Sequence, residues 1–241
     1  MIRTENLKKA YSREVVLDLP DLIIPSGEVF GLVGNNGAGK TTFFSLVLDL
    51  IKSSAGAVFN NEINVGKSEA WKDFTSAFID ESFIIGYLTP EEFFEFVGEL
   101  RGMNKADMAS FLTQFSDFFS GEIMGRKKYI RDLSKGNQKK VGIVAALIGY
   151  PQVIILDEPF ANLDPSSQFK LRKIIKDYSV EHKSTFLISS HDLDNIIDVC
   201  QRIAILEKGK IVKDSKKTES TLKDLENYFT GIKEEKSFLD E

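Results

Sequence analysis

Alternating apolar and polar positions along the first third of the chain predict short strands joined by turns. Residues 1–30 contain short apolar runs broken by turn residues, a pattern that favours β-structure. Val29–Val33 is an apolar run that leads into a glycine-rich loop, and the apolar-rich segment Thr42–Ile51 follows it. This order predicts a strand, a loop and a helix. Gly56–Ile63 has the pattern of a hairpin that turns at Asn60–Asn61.

The middle of the chain, at about residues 88–150, carries helical patterns instead. Thr89–Glu92 has a threonine cap, a proline at the first helical position and a glutamate at the third, which is a helix start. A stripe of apolar side chains then recurs at helical spacing, and we expect it to form a core rather than a ligand site. The stripe consists of Met108, Phe111, Leu112, Phe115 and Phe119. Phe93 and Phe96 are expected to pack into the same core.

The second half of the chain alternates between strand and helix patterns. Val153–Leu156 and Thr185–Ser189 are continuous apolar-rich runs, which are typical of buried parallel strands. Asp164 caps the predicted helix that begins at Pro165, and Arg202–Val212 is a predicted hairpin. Together these patterns predict an α/β core, a β-rich N-terminal layer and a helical insertion.

Composition narrows the class of protein. The net charge of −5 gives no general attraction to nucleic acid or anionic lipid, so we expect no nucleic-acid partner. No segment is long and apolar enough to span a bilayer, and the first residues lack the apolar stretch of a signal peptide, so we expect a cytoplasmic protein. Its single cysteine, Cys200, cannot form an internal disulfide and suits a reducing compartment.

One stretch departs from the overall charge balance. The basic cluster consists of Arg126, Lys127, Lys128, Arg131, Lys135, Lys139 and Lys140. A solvated surface is the simplest interpretation of such a charge run. A surface that faces phosphate groups is the second interpretation, supported by the neighbouring motif described below. A nucleic-acid patch is the third, and the acidic remainder of the chain argues against it.

The segment Gly34–Thr41 carries the strongest chemical signal, because it fits the pattern G-x-x-x-x-G-K-[ST] of a phosphate-binding loop. Glycines let main-chain N–H groups approach phosphate oxygens closely, and the helix that follows adds its positive dipole end. Lys40 can reach the β- and γ-phosphates, and the Thr41 hydroxyl can bind Mg²⁺. The predicted nucleotide contacts are Asn35, Asn36, Gly37, Ala38, Gly39, Lys40, Thr41 and Thr42.

Three further polar residues follow predicted strands of the core. Asp157 and Glu158 end the run Val153–Leu156, at the sheet edge where open α/β folds bind ligands. We expect Asp157 to hold Mg²⁺ through water and Glu158 to polarise the attacking water as the general base. His191 follows the strand Thr185–Ser189 and is predicted to contact the γ-phosphate.

The order and spacing of six motifs resemble the ATP-binding-cassette (ABC) ATPase family along nearly the whole chain. Two of them are the phosphate loop and the acidic pair. Leu133–Gln138 is similar to the family's signature, with Lys135 where the family often has glycine. The remaining three are Ala161–Asp164, similar to the D-loop, Ser190–Asp192, similar to the switch-histidine loop, and Tyr11, where the family has an aromatic ring that stacks on adenine.

This resemblance implies one ABC ATPase domain over residues 1–241. Its core would be that of a P-loop NTPase (RecA-like), with an antiparallel N-terminal β layer. A helical subdomain at about 88–150 would carry the signature motif, and a C-terminal helix and polar tail would occupy about 222–241. The signature and the helix start at Pro90 are similar to the exporter-type (multidrug/ABC-2-like) branch of the family.

The resemblance also implies a mechanism that needs two such domains. They face each other head-to-tail, and each ATP with its Mg²⁺ lies between the phosphate loop of one domain and the signature of the other. The signature residues that would act across this interface are Ser134, Lys135, Gly136 and Asn137, and the D-loop residue is Asp164. The chain would be an ATP-hydrolysing transporter subunit on the cytoplasmic face of the membrane. It would form a homodimer or a heterodimer with another ATPase subunit, bound to a separate transmembrane permease subunit.

Asp80 departs from the family pattern, because most members have glutamine there. A carboxylate can still ligate Mg²⁺, but aspartate is shorter than glutamine. This departure keeps open a regulatory module that binds ATP with little hydrolysis. A soluble non-transport ABC ATPase is a separate alternative, and the sequence argues against it because it has neither a second cassette nor a long coiled-coil insertion. The segment that follows, Phe83–Leu88, holds large apolar residues in a predicted loop. In this family that segment helps to form a groove for a helix of the membrane subunit, so we expect its side chains to be exposed.

Overall fold

The computed structural model describes residues 1–218 and contains two sheets that enclose helix α1 (Lys40–Val47). The N-terminal sheet is antiparallel, in the strand order β2-β1-β4-β5. Its strands are β1 (Ile2–Tyr11), β2 (Glu14–Ile24), β4 (Ala55–Asn60) and β5 (Ile63–Asn64). The predicted hairpin is present, but its turn lies at Asn61 and Glu62, one residue later than predicted, because Asn60 still pairs with Ile63. Both turn residues have positive φ angles, as a tight two-residue turn requires.

The second sheet has six strands in the order β10-β9-β3-β8-β7-β6. The strands are β3 (Val29–Val33), β6 (Thr75–Phe78), β7 (Val153–Leu156), β8 (Thr185–Ser190), β9 (Arg202–Glu207) and β10 (Lys210–Lys216). All neighbours are parallel except β9 and β10, which form the predicted hairpin. Because β3, β8 and β7 are adjacent, the residues that follow their carboxyl ends meet at one edge of the sheet.

The parallel sheet separates two apolar cores. Phe30 and Leu32 of β3 belong to the core shared with α1 and the N-terminal sheet. Val29 and Val33, which alternate with them, belong to the core shared with the remaining helices. A parallel strand covered on both faces must be apolar at every position, which accounts for the continuous apolar runs in the sequence.

A helical subdomain covers the second face, together with α6 (Pro165–His182) and α7 (Leu193–Ile197). Its helices are α2 (Pro90–Leu100), α3 (Lys105–Thr113), α4 (Ser116–Phe119) and α5 (Lys135–Leu147). Thr89 and Glu92 form the predicted capping box at the start of α2. These helices confirm the expected insertion, and the antiparallel layer and parallel core confirm the expected fold class.

The apolar stripe of this subdomain is buried as predicted, although a break divides it between α3 and α4. Met108, Phe111, Phe115 and Phe119 are buried, and Leu112 is partly buried against them. Phe93 is buried in the same core, but the prediction for Phe96 is wrong because its side chain is exposed. The buried face of α2 is formed by Pro90, Phe93, Phe94 and Gly98, and at 100° per residue Phe96 lies on the far side of Phe93 from Phe94 and Gly98.

The basic cluster is divided by burial. Its first five members, as far as Lys135, are exposed, in agreement with a solvated surface. The interpretation of the whole cluster as one surface is wrong for Lys139 and Lys140, which are buried in α5. Every residue of α5 from Gln138 to Leu147 is buried, and charge alone does not predict burial there.

Two further expectations concern the membrane and the C-terminal end. Within residues 1–218 no helix is long and apolar enough to cross a membrane. The C-terminal helix and polar tail predicted at about 222–241 lie outside the described residues.

The burial of Cys200 predicts low reactivity of its thiol. The thiol is buried in the core, and burial raises its pKa well above the ordinary value, so little reactive thiolate is present. We expect the native protein to resist Ellman's reagent at mildly alkaline pH and to react with one equivalent after denaturation. Rapid stoichiometric reaction of the native protein would contradict the described packing around α7 and β3.

Candidate nucleotide-binding site

The phosphate loop joins β3 to α1 through three glycines with distinct roles. Gly34 has no room for a Cβ atom, because the main-chain carbonyl of Leu206 lies against it. Gly37 and Gly39 have φ angles of 81° and 108°, a region that L side chains rarely adopt. The loop also forms a turn in which Ala38 N–H donates to the Asn35 carbonyl at 3.1 Å. Asn35, Asn36 and Gly37 form its exposed tip.

The hairpin between β9 and β10 supports the loop from beside it. Gly209 N–H donates to the Ala38 carbonyl at 2.9 Å, and the Gly209 carbonyl accepts from Asp18 N–H at 2.8 Å. Gly209 has a φ angle of 78° and approaches the Val16 main chain too closely for a side chain. A cleft of about 320 Å³ lies between this turn and the loop, lined by Gly34–Ala38 and Ile205–Lys208.

Lys40 is the first residue of α1, and its side chain folds back into the loop. The ammonium donates to the Gly34 carbonyl at 2.5 Å and lies 3.4 Å from the Asn35 carbonyl. Its Nζ atom is 3.1 Å from Oε1 of Glu158, in an ion pair without hydrogen-bond alignment. The phosphate loop and the acidic pair, which are distant in sequence, therefore meet through this side chain.

Thr41 and Asp157 form a second link between the same two motifs. The Thr41 hydroxyl donates to Oδ2 of Asp157 at 2.5 Å, and the Ser189 hydroxyl donates to Oδ1. Burial raises the pKa of Asp157 above its ordinary value, and these two hydrogen bonds oppose that rise. A threonine hydroxyl and a carboxylate in contact beside a phosphate loop are oxygen donors of the type that Mg²⁺ prefers.

Glu158 joins the site at the carboxyl end of β7 in an unusual backbone conformation. Its φ angle is 47°, which is unfavourable for a residue with a side chain. Its N–H donates to the Ser189 hydroxyl at 2.9 Å, and its carbonyl accepts from the Lys139 ammonium at 2.9 Å. The carboxylate then reaches between Lys40 and His191, and Oε2 lies 2.8 Å from Nδ1 of His191.

His191 completes the group at the sheet edge. Its main-chain N–H donates to Oε2 of Glu158 at 3.3 Å, and its ring is half exposed. The structure thus brings together Lys40, Thr41, Asp157, Glu158 and His191, as the sequence predicted. Thr42 is half-buried in the first turn of α1.

The signature segment is held by contacts within its own chain. Ser134 caps α5, accepting from Asn137 N–H at 3.3 Å, and the Asn137 amide donates to Glu122 at 3.1 Å. A Cβ atom on Gly136 would lie 2.9 Å from the carbonyl oxygen of Asn162, so this glycine lets α5 approach the D-loop. Lys135 is exposed, and its ammonium lies 3.5 Å from Oε1 of Gln138.

The D-loop ends in a helix cap. Asp164 accepts from Ser167 N–H at 2.9 Å at the start of α6, and its hydrogen bonds with Ser167 lower its pKa. Position Asn162 in the same loop has a φ angle of 64°. The D-loop is therefore a tight turn fixed at both ends, by the signature helix and by α6.

Two predicted site residues make their contacts elsewhere. Tyr11 is exposed at the end of β1, where the Lys9 ammonium lies 4.7 Å from the centre of its ring. Asp80 is exposed, and its carboxylate accepts from Ser82 N–H at 2.6 Å, capping a single 3₁₀ turn. Neither residue touches the phosphate loop in the described part of the chain, and their roles with adenine and Mg²⁺ stay predictions.

Sequence reasoning missed three residues that support the site. Ser189 holds the backbone of Glu158 and the carboxylate of Asp157, Lys139 holds the Glu158 carbonyl, and Gly209 holds the phosphate loop. Gly209 was recognisable in the sequence as a turn residue, but its contact with the phosphate loop was not. Nothing local distinguishes Ser189 or Lys139 from their neighbours, because their contacts are with residues distant in the chain.

A phosphate loop that meets an Asp-Glu pair at the edge of a parallel sheet defines a P-loop nucleotide-binding protein. The sequence model of the family described as ABC transporter matches residues 17–161, which is more than half of the chain. The chain therefore belongs to the ABC transporter family, as its resemblance implied. It is an ATP-binding, ATP-hydrolysing subunit that energises a transporter.

Known relatives agree with this assignment. An uncharacterised ABC transporter ATP-binding protein of Methanocaldococcus jannaschii is 37% identical over 214 residues, which cover 88% of this chain and 76% of that protein. The bacitracin transport ATP-binding protein of Enterococcus faecalis is 30% identical over 225 residues, which cover 89% of this chain and 68% of that protein. Among solved structures, a dimeric ATP-binding cassette in a post-hydrolysis state bound to ADP and Pi has the same fold. Its TM-score is 0.80 at 22% identity, covering 90% of this chain and 98% of that one.

The position of Lys40 predicts its contribution to ATP affinity. Lys40→Ala removes the ammonium that lies in the phosphate loop, and charge-assisted hydrogen bonds to phosphate are worth about 1.5–3 kcal/mol each. Calorimetry with ATP and Mg²⁺ should show a loss of affinity of about tenfold or more. Lys52→Ala is the matched control, because Lys52 is exposed and pairs with Asp49. Equal ATP affinities of both variants and the parent protein would refute the role of this loop.

Proposed function

We propose that this subunit hydrolyses ATP with Glu158 as the general base. The observation that carries the proposal is the contact of one carboxylate with both Lys40 and His191 at the sheet edge. Lys40 would bind the β- and γ-phosphates, and Glu158 would orient and deprotonate the attacking water. His191 would contact the γ-phosphate while its hydrogen bond holds the Glu158 carboxylate in place.

The donor set of the site also fits Mg²⁺. Thr41 and Asp157 present a hydroxyl and a carboxylate in contact, and in residues 1–218 no group of three or more acidic, histidine or cysteine residues forms a metal cage. Mg²⁺ is usually bound through one or two carboxylates together with substrate phosphates. A site with only Thr41 and Asp157 as its close protein donors agrees with that pattern. Mg²⁺ held by Thr41 and Asp157 would supply positive charge to offset the charge that develops on the phosphates. For Asp80 to join these ligands, its carboxylate has to leave Ser82 N–H.

Two copies of the cassette are needed to complete each site in this proposal. Proteins of this family work with transmembrane partners, and a cassette of the same fold is a dimer. Ser134 and Gly136 stand at the N-terminal end of α5, whose dipole favours a phosphate group of the opposite copy. The partner copy is this chain or another ATPase subunit.

The membrane subunit would dock on an exposed apolar loop. Phe83, Ile85 and Tyr87 are 55%, 41% and 72% exposed, as the sequence predicted, and we call them the docking patch. The Arg131 guanidinium lies 4.5 Å from the centre of the Tyr87 ring, which holds that ring at the surface. Ile84 and Leu88 of the same segment are instead partly buried against the helical core, so the expected exposure of the whole segment is wrong for these two. Large apolar side chains exposed together at a loop surface are typical of an interaction site. Docking there would place the subunit at the cytoplasmic face of the membrane.

The general-base role has a direct kinetic test. Glu158→Gln keeps the shape and the hydrogen bonding of the side chain but removes its basicity. ATP binding should survive, while turnover should fall by about 10²–10⁴, the usual contribution of a general base. A phosphate-release assay, with nucleotide binding measured by calorimetry, checks both parts. Turnover equal to that of the parent protein would mean that another group activates the water.

The docking patch is tested by assembly with the membrane subunit. Ile85→Asp and Tyr87→Asp should retain ATP binding but fail to co-purify with that subunit, because loss of one buried anchor typically costs about 2 kcal/mol or more. Val180→Asp is the matched control, because Val180 is an apolar residue of α6 that is 79% exposed. Normal assembly of both patch variants, with ATP binding intact, would place the docking surface elsewhere.

A further inference from the structure

Lys139 is a buried cation that contacts the proposed catalytic centre. Its side chain, in α5, is only 6% exposed, and its ammonium donates to the main-chain carbonyl of Glu158 at 2.9 Å. This is its one hydrogen bond in the described part of the chain. The nearby carboxylates of Glu81, Glu158 and Asp157 attract the charge, but burial outweighs them and lowers the pKa of Lys139.

Folding alone does not account for a lysine at this position. A buried charge loses its hydration, and apolar residues of similar volume often replace buried ions with no loss of stability or with a gain. Methionine has a similar unbranched shape and would pack among the apolar residues of α5. A buried charge that is unfavourable for folding and contacts the proposed active site points to a functional reason.

The backbone of Glu158 supplies that reason. Its left-handed φ angle of 47° is unfavourable for a residue with a side chain, so the surrounding contacts have to hold it. Both polar groups of this residue's main chain are held by hydrogen bonds. Its N–H donates to the Ser189 hydroxyl, and its carbonyl accepts from the Lys139 ammonium and, at 3.2 Å, from Ala161 N–H in the turn that follows. Lys139 is thus the contact to this carbonyl that comes from a distant element. Rotation of this backbone would move the carboxylate away from Lys40 and His191.

We propose that Lys139 is a positioning residue, which fixes the backbone of Glu158 so that its carboxylate points at the attacking water. The proposal rests on the general-base role of Glu158. It also joins two parts of the site, because Lys139 lies on the same helix as the signature residue Ser134. A shift of α5 would therefore move the Lys139 ammonium relative to the Glu158 carbonyl.

Lys140 provides a matched control. It is the next residue of α5 and is 4% exposed, and burial lowers its pKa as it does for Lys139. Its ammonium, however, lies 5.5 Å from the centre of the Phe118 ring and makes no contact with Glu158. The two lysines thus share burial, helix and charge, and differ in what they contact.

The experiment compares Lys139→Met, Lys140→Met and Glu158→Gln in the full-length protein. Each variant is assayed for kcat, for KM with Mg²⁺ and ATP, and for melting temperature. For Lys139→Met we expect kcat to fall about ten- to hundredfold, the effect of a small misplacement of a catalytic group. Its KM should be unchanged and its melting temperature no lower than that of the parent. Lys140→Met should keep the parent kcat, and Lys139→Arg, which keeps the charge and the donors, should recover part of the loss.

The possible failures are distinct. If Glu158→Gln retains full turnover, the general-base role is wrong. If Glu158→Gln is inactive but Lys139→Met keeps the parent kcat, only the positioning role is wrong. A melting temperature that falls for Lys139→Met, with kcat lost in proportion to the unfolded fraction, would make Lys139 a structural residue. Should Lys139→Met not fold, Lys139→Gln tests the same split between kcat and KM, and a parent kcat in that variant would overturn the proposal.

Discussion

The main-chain conformation of Glu158 is the constraint on which the rest of the site depends. With its φ angle of 47°, this residue leaves the end of β7 in a direction that brings its carboxylate to Lys40 and His191. Three motifs thereby converge through one side chain. The conformation is unfavourable in isolation. Its main chain is held by Ser189 from a neighbouring strand, by Lys139 from a distant helix and by Ala161 from the turn that follows. The chemistry at this sheet edge is therefore a property of the packed domain rather than of β7.

The two apolar cores provide the rigidity that these contacts need. Alternate residues of β3 and β7 pack against the N-terminal sheet on one face and against the helices on the other. Gly142 allows α5 to lie directly against the Phe78 ring, because a Cβ atom at this position would collide with that ring. Interiors packed at this density resist small displacements. Close packing thus fixes the position of α5 against β6 and β7, so that the Lys139 ammonium reaches the main-chain carbonyl of Glu158.

The helical subdomain connects the surfaces of the protein that have functional roles in our proposals. Its helix α5 is capped by Ser134, which is proposed to face a second cassette, and carries Lys139 at the proposed catalytic edge. The docking patch leads into α2, and the Gly86 carbonyl accepts a hydrogen bond from Arg131 N–H, just before α5. In these proposals a membrane partner, a second cassette and the general base would all contact one group of packed helices, and such groups can couple distant sites.

The sequence by itself determined the features that depend on neighbouring residues. Glycine spacing defined the phosphate loop, because only glycine tolerates the φ angles at Gly37 and Gly39. Apolar runs that end in charged residues placed Asp157, Glu158 and His191 at one edge of the sheet, and the capping box at Thr89 marked the start of α2. Tertiary structure alone decided which face of an element is buried and which distant groups meet. Packing leaves Phe96 exposed and buries Lys139 and Lys140. It also sets two hydrogen bonds that the sequence did not indicate, from Ser82 N–H to Asp80 and from Glu158 N–H to Ser189. The physical reason is that propensities and caps act over a few residues, whereas burial and hydrogen-bond partners depend on how the sheet and α5 pack.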